Sequence, residues 1–115
     1  MAQNGGIIGP VKCLSTPTTK VTSFTSSGTF NRANCKSTTA PAILVVAGGG
    51  GGGSNKGGGG GAGGYRTATC VSLTNSMTVT VGGGGSGGSG VPSGAIGVKG
   101  NDSVFASVTS TGGGF

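Results

Sequence analysis

Apolar and polar residues alternate with a period of two in several short stretches of this chain, and nowhere with the period of a helix. The clearest stretch is Met77-Thr78-Val79-Thr80-Val81, which places Met77, Val79 and Val81 on one face of a strand. Val21-Thr22-Ser23-Phe24 alternates too; Ser26-Ser27-Gly28 then signals a turn, and Thr29-Phe30 opens a second strand. Asn31 to Ala40 is polar and loop-like, and Pro41 sets the entry to Ile43-Leu44-Val45-Val46. That run is apolar on both faces, which predicts a strand covered by a second layer or by a neighbouring subunit. Tyr65 to Leu73 reads as a strand, Asn75-Ser76 as a turn, and Ile96 with Val98 as a short edge strand. Asn101-Asp102-Ser103 reads as an Asx-type turn before a final strand from Val104 to Thr111. The pattern predicts an all-β fold, a small β-sandwich of six or seven short strands.

Glycine changes that picture. Gly48 to Gly64 holds thirteen glycines in seventeen residues and follows directly on the Ile43–Val46 run. Such a segment is either a solvated linker or a set of extended, polyproline-II-like strands whose bare backbones lie side by side. Ordering a backbone costs roughly 1–2 kcal/mol per residue, which a lone loop cannot recover. Several glycine strands packed together recover it through backbone hydrogen bonds and Cα–H···O contacts. The chain supplies several: glycine runs begin at Gly48, Gly82 and Gly112, each at the end of a predicted strand. A strand-then-glycine unit at intervals of 34 and 30 residues is a loose internal repeat. Ordered glycine-rich segments are therefore the expectation, with loops at Ser54 to Lys56 and Ser86 to Ser93 presented at their ends.

Residues 1–20 form a separate extended amino-terminal segment ahead of a glycine-rich β-domain at 21–115. Gly5, Gly6, Gly9, Pro10 and Pro17 exclude a stable helix there. Ile7, Ile8, Val11 and Leu14 are too apolar for an idle linker, so they either dock on another protein or cover the chain's own core. The third glycine run is cut short at Phe115, so further glycine-rich sequence is expected beyond it. No signal peptide and no apolar stretch of membrane-spanning length is evident.

Composition excludes most chemistry. With no histidine, no glutamate and one aspartate, Asp102, no catalytic dyad or metal site can be assembled, so no enzyme activity and no cofactor are expected. The matches to Gly-x-Gly-x-x-Gly follow from glycine content alone. Seven bases give a net charge of +6 but are scattered, which keeps a side-chain-poor surface soluble and only weakly favours an acidic partner. Two arginines and one tyrosine are too few for nucleic-acid stacking, so nucleic acid ranks last among partners. Cys13, Cys35 and Cys70 have no metal or redox spacing; buried free thiols are expected, with a Cys35–Cys70 bridge left open. With five aromatics the core is small, and stability is expected to lean on self-association.

Several blocks, taken in order, carry a likeness. Ser27-Gly28-Thr29-Phe30, Ile43 to Ala47 running into Gly48 to Gly53, and Gly60-Gly61-Ala62-Gly63-Gly64-Tyr65-Arg66 resemble the glycine-rich domain of bacteriophage appendage proteins. Thr78 to Gly83 and Asn101 to Phe105 ahead of Thr111-Gly112-Gly113 fit its later blocks, and Asn4 to Gly9 looks like the start of such proteins. The three cysteines and the polar Asn31 to Ala40 insert depart from that family. The resemblance implies a virion structural protein: a tail fibre, head fibre or capsid decoration, made in the host cytoplasm and carried on the particle surface. Ile7, Ile8, Val11 and Leu14 would attach it to other virion proteins. Ile43, Leu44, Val45 and Val46 would pack subunits of a homo-oligomer, a trimer among the forms considered. Ser54, Asn55 and Lys56 would be an exposed loop, with a host cell-surface glycan as a further partner. The competing readings are a non-viral self-assembling matrix or filament protein and, third, a weak nucleic-acid-binding module.

Overall fold

The computed structural model describes residues 21–32, 41–90 and 94–115. Six short strands form two antiparallel sheets, and no helix is present among the described residues. The strands are β1 (Gly28–Asn31), β2 (Ile43–Val46), β3 (Tyr65–Ala68), β4 (Ser76–Thr80), β5 (Ser103–Phe105) and β6 (Val108–Ser110). One sheet has the order β1-β4-β5-β6; the other pairs β2 with β3 and packs on β5 and β6.

Register follows the alternation in the sequence. Phe30 pairs with Met77 and Val79 with Phe105, so these apolar residues share the inner face of the larger sheet. The Phe30 and Phe105 rings meet edge to face, with centroids 5.7 Å apart. Val45 and Ala47 are buried against that layer, together with Val79. On the outer face of the smaller sheet Val46 pairs with Tyr65 and Leu44 with Thr67. The β2 run is therefore half covered: Val45 lies in the chain's own core, whereas Leu44 and Val46 are 56% and 53% exposed.

Several predicted elements differ. Residues 21–24 form no strand; Phe24 instead lays its ring over Gly28, the residue opposite Val79. Asn31 belongs to β1, and residues 33–40 lie outside the described part. The Tyr65 strand stops at Ala68, because the chain turns at Cys70 with φ 58°. That turn leaves the Cys70 thiol free and exposed instead of buried. The final strand folds into a hairpin, β5 to β6, over Ala106, whose φ is also 58°. Residues 101–102 make no turn; they run straight into β5.

Candidate functional site

Five of the six strands continue into glycine-rich segments, which lie together as a layered bundle. We call them rods: I (47–54) follows β2, II (57–64) precedes β3, III (82–90) follows β4, IV (94–101) leads towards β5, and V (111–115) follows β6. Rod I is the hub. The N–H groups of Ala47, Gly50 and Gly53 donate to the carbonyls of Gly64, Gly61 and Gly58 in rod II at 2.8–2.9 Å. Those of Gly48, Gly51 and Ser54 donate to Asn101, Val98 and Ala95 in rod IV at 2.9–3.1 Å. The carbonyls of Gly49 and Gly52 accept from Gly85 (2.7 Å) and Gly88 (2.8 Å) of rod III.

Each neighbour is thus met by every third residue of rod I, where a β-ladder would repeat every second one. A three-residue repeat is the signature of a polyproline-II helix, which turns once per three residues and leaves its backbone groups to bond outward. The outer joins keep the same spacing. Gly61 and Gly64 donate to Gly114 and Thr111, while Val98 and Asn101 donate to Ser86 and Gly83. Rods I and III run parallel and the other repeated pairings antiparallel; I and II are joined by the tight turn at 54–57, whereas the I–IV and II–V pairings bring together segments distant in sequence.

Steric room explains the glycines. A Cβ on Gly50 would overlap the Gly114 carbonyl, one on Gly51 the Ser86 carbonyl, and one on Gly97 the Gly51 carbonyl. In rod III the intolerant positions are Gly82, Gly85 and Gly88; in rod IV they are Gly97 and Gly100. Gly83, Gly58 and Gly59 would meet nothing within 4 Å. Outward rows accept side chains: Ser86 and Ser89 fall in register with Gly83, and Ile96, Lys99 and Asp102 follow one another at three-residue steps. Lys99 Nζ and Asp102 Oδ1 stand 3.7 Å apart along that row. Among the described glycines Gly90 alone has a left-handed φ, 116°, so the bundle uses glycine for its missing side chain.

Three polar side chains fasten the ends. Ser103 Oγ accepts from the Gly82 N–H at 2.9 Å, and Asp102 Oδ1 accepts from the Gly112 N–H at 2.8 Å. At the far end Ser54 Oγ accepts from the Ala95 N–H at 2.9 Å and donates to the Gly90 carbonyl at 3.3 Å. Sequence reasoning gave Asp102 no such role, and it read Ile96 and Val98 as an edge strand. The signal was available: glycine at 94, 97 and 100 is a triplet repeat, as are Gly82, Gly85 and Gly88. Residues 86–90, expected in a loop, belong to rod III; residues 91–93 lie outside the described part.

The far end of the bundle carries the Ser54–Gly57 turn. Gly57 N–H donates to the Ser54 carbonyl at 2.9 Å, and Asn55 adopts φ 58°, a conformation asparagine tolerates. Ser54 is half-buried and pinned, whereas Asn55 and Lys56 are exposed. Beside the turn lies an open cleft of about 590 Å³, bounded by residues 53–59, 94–97 and Phe115. At about 3.1 Å per residue, rod I holds this turn some 20 Å beyond the sheets. Of the other residues singled out, Ile43 is half-buried beside Val45, and Leu44 and Val46 share an exposed face with Tyr65. Ile7, Ile8, Val11 and Leu14 lie outside the described residues. No cluster of metal-binding side chains occurs among the described residues, and no helix among them is long and apolar enough to cross a membrane.

A family model described as a glycine-rich domain matches residues 25–115, a span that includes all six strands and all five rods. Comparison with curated proteins and with solved structures yields no significant match.

Proposed function

This chain belongs to the glycine-rich domain family, and from that premise we propose that it is a bacteriophage virion structural protein, a fibre or appendage on the particle surface. The observation that carries the reading is the three-residue hydrogen-bond repeat. It turns glycine runs into a stiff bundle that holds a loop away from a β-base. A projecting appendage needs that combination: a base that packs, a shaft that does not bend, and a small exposed tip. The order of sequence blocks resembling phage appendage proteins supports the same reading.

Residues 1–20 attach the protein to other virion components through Ile7, Ile8, Val11 and Leu14. The exposed Leu44, Val46 and Tyr65 face joins copies into a homo-oligomer, a trimer being one arrangement. The chain is made in the host cytoplasm and incorporated from there, and the tip at Ser54, Asn55 and Lys56 contacts the host surface. Mass spectrometry of purified virions tests the assignment: the chain is expected at a fixed copy number, and its absence from particles overturns it.

The open edges of the two-stranded β2-β3 sheet favour one other reading, a non-viral self-assembling matrix or filament protein. Micrographs of the purified protein separate the two. Discrete short oligomers support the appendage, and long homopolymers support the matrix.

A further inference from the structure

We infer that the outer face of rods II, I and III pairs two copies of this chain, the rods of the second copy lying on it as rods IV and V lie on its inner face. This deepens the homo-oligomer of the reading above and rests on that reading for its biological setting. It extends the contact from the β2 face to the shaft.

Hydrogen bonds sort the rods into two layers. Rod IV bonds to I, III and V, and rod V bonds to I, II and IV; among the described residues no bond joins III to II or to V. Rods II, I and III therefore form one layer with I in the middle, and IV and V fill the two grooves on one side of it. On the opposite side no described residue fills the same two grooves. A Cβ on Gly84 would meet only the Gly49 carbonyl, and one on Gly87 only the Gly52 carbonyl, each at 3.5 Å. Gly84 and Gly87 are exposed, and Gly49 and Gly52 are half-buried between their neighbours.

Two observations say that a rod completes these grooves. The first is glycine where the chain's own contacts do not require it. A methyl group at 84 or 87 would make an ordinary contact, as would one at 49, 3.5 Å from the Gly61 carbonyl. Glycine at such positions loses chain entropy on folding that alanine would spare. Outward rows elsewhere do carry side chains: Ser86 and Ser89 on rod III itself, Ile96 and Lys99 on rod IV. Where a rod does lie on rod I, glycine is obligatory: a Cβ on Gly97 or Gly100 would overlap the Gly51 or Gly48 carbonyl. The bare row on the outer face has the same composition as those covered rows.

The second observation is a pair of idle donors on the hub. Every N–H of rod I is bonded except those of Gly49 and Gly52, which meet no acceptor among the described residues. They stand three residues, about 9 Å, apart, the interval at which the carbonyls of a polyproline-II rod repeat. Rod IV meets the Gly48, Gly51 and Ser54 donors at that same interval. Rods of a second copy carry the matching repeat. Rods I and II run into β2 and β3, whose outer face exposes Leu44, Val46 and Tyr65, so an apolar base adjoins the bare shaft. One surface presented by both copies makes a self-complementary contact about a two-fold axis.

The test is sedimentation velocity and NMR amide exchange on the whole chain over a concentration series. The wild type is expected to dimerise, with protection of the Gly49 and Gly52 N–H groups rising with concentration. Gly84→Ala with Gly87→Ala should weaken the dimer at least about tenfold, because methyl groups would stand between close-packed rods. The monomer fold, read by circular dichroism, should be unchanged. Gly49→Ala, on rod I, gives an independent reading and should act likewise. Gly83→Ala, in the row that carries Ser86 and Ser89, should leave the dimer as it is.

A wild type that stays monomeric at about 1 mM overturns the pairing. Alanines at 84 and 87, or at 49, that dimerise as the wild type does overturn the rod contact, as does an equal loss with Gly83→Ala. Protection of Gly49 and Gly52 that does not vary with concentration places a segment of the same chain in the grooves and overturns the second copy. None of these outcomes bears on whether the chain is present in virions, which mass spectrometry reads separately.

Discussion

Alanine at Gly85 and alanine at Gly83 are chemically the same change, two residues apart on one rod, and the bundle predicts opposite results. A Cβ on Gly85 collides with the Val98 carbonyl and falls 2.6 Å from Val98 C and 2.8 Å from Lys99 C. All of these are backbone atoms, so relief requires rods III and IV to separate. Separation strains the Gly85 N–H to Gly49 carbonyl bond (2.7 Å), the Val98 N–H to Ser86 carbonyl bond (2.8 Å) and the Gly51 N–H to Val98 carbonyl bond (2.9 Å). Losing two or three such bonds at about 1 kcal/mol each costs about 2–3 kcal/mol. Overpacking adds about 1–3 kcal/mol. The smaller unfolded-state entropy of alanine returns about 0.4–1 kcal/mol. Gly85→Ala is therefore expected to destabilise by about 2–6 kcal/mol. Gly83→Ala meets nothing within 4 Å and keeps only the entropic gain, so it should be neutral or stabilising by up to about 1 kcal/mol. Urea unfolding followed by far-ultraviolet circular dichroism measures both. Equal stabilities for the two variants would show that the rods do not pack as described, and the shaft would be lost from the functional argument.

Amide exchange gives a second check: the N–H groups of Ala47, Gly50, Gly51 and Gly53 should be protected, and those of Gly58 and Gly59 should exchange far faster within the same glycine run. Asp102→Ala leaves the Gly112 N–H without its acceptor beside a buried glycine and should cost about 1–2 kcal/mol in thermal or urea unfolding, whereas Asp102→Asn, which keeps an oxygen there, should cost less. Ala106→Val places a β-branched residue at φ 58° and should destabilise the β5–β6 hairpin by about 1–3 kcal/mol, read from the same unfolding curves. Leu44→Lys with Val46→Lys should shift sedimentation towards monomer without altering the circular dichroism spectrum; unchanged sedimentation removes the β2 face from self-association.

The sequence by itself determined the all-β class, because two-residue alternation such as Met77-Thr78-Val79 admits no buried face in a helix. It also determined that the glycine runs recur after strands, and hence that they have neighbours of their own kind to pair with. What it left open was which bare backbone lies against which, since glycine carries no side chain by which one run can be told from another. Rod I at the centre, the parallel placement of rod III and the inclusion of residues 94–101 were decided by the tertiary structure, where hydrogen-bond directions must be satisfied all at once. The same holds for Asp102, which reads as a turn residue beside Ser103 and acts instead on Gly112, ten positions away. Cys70 went the other way: a buried thiol was expected, and the turn at φ 58° leaves it exposed. In β2 the chain's own thin sandwich covers Val45 but leaves Leu44 and Val46 exposed.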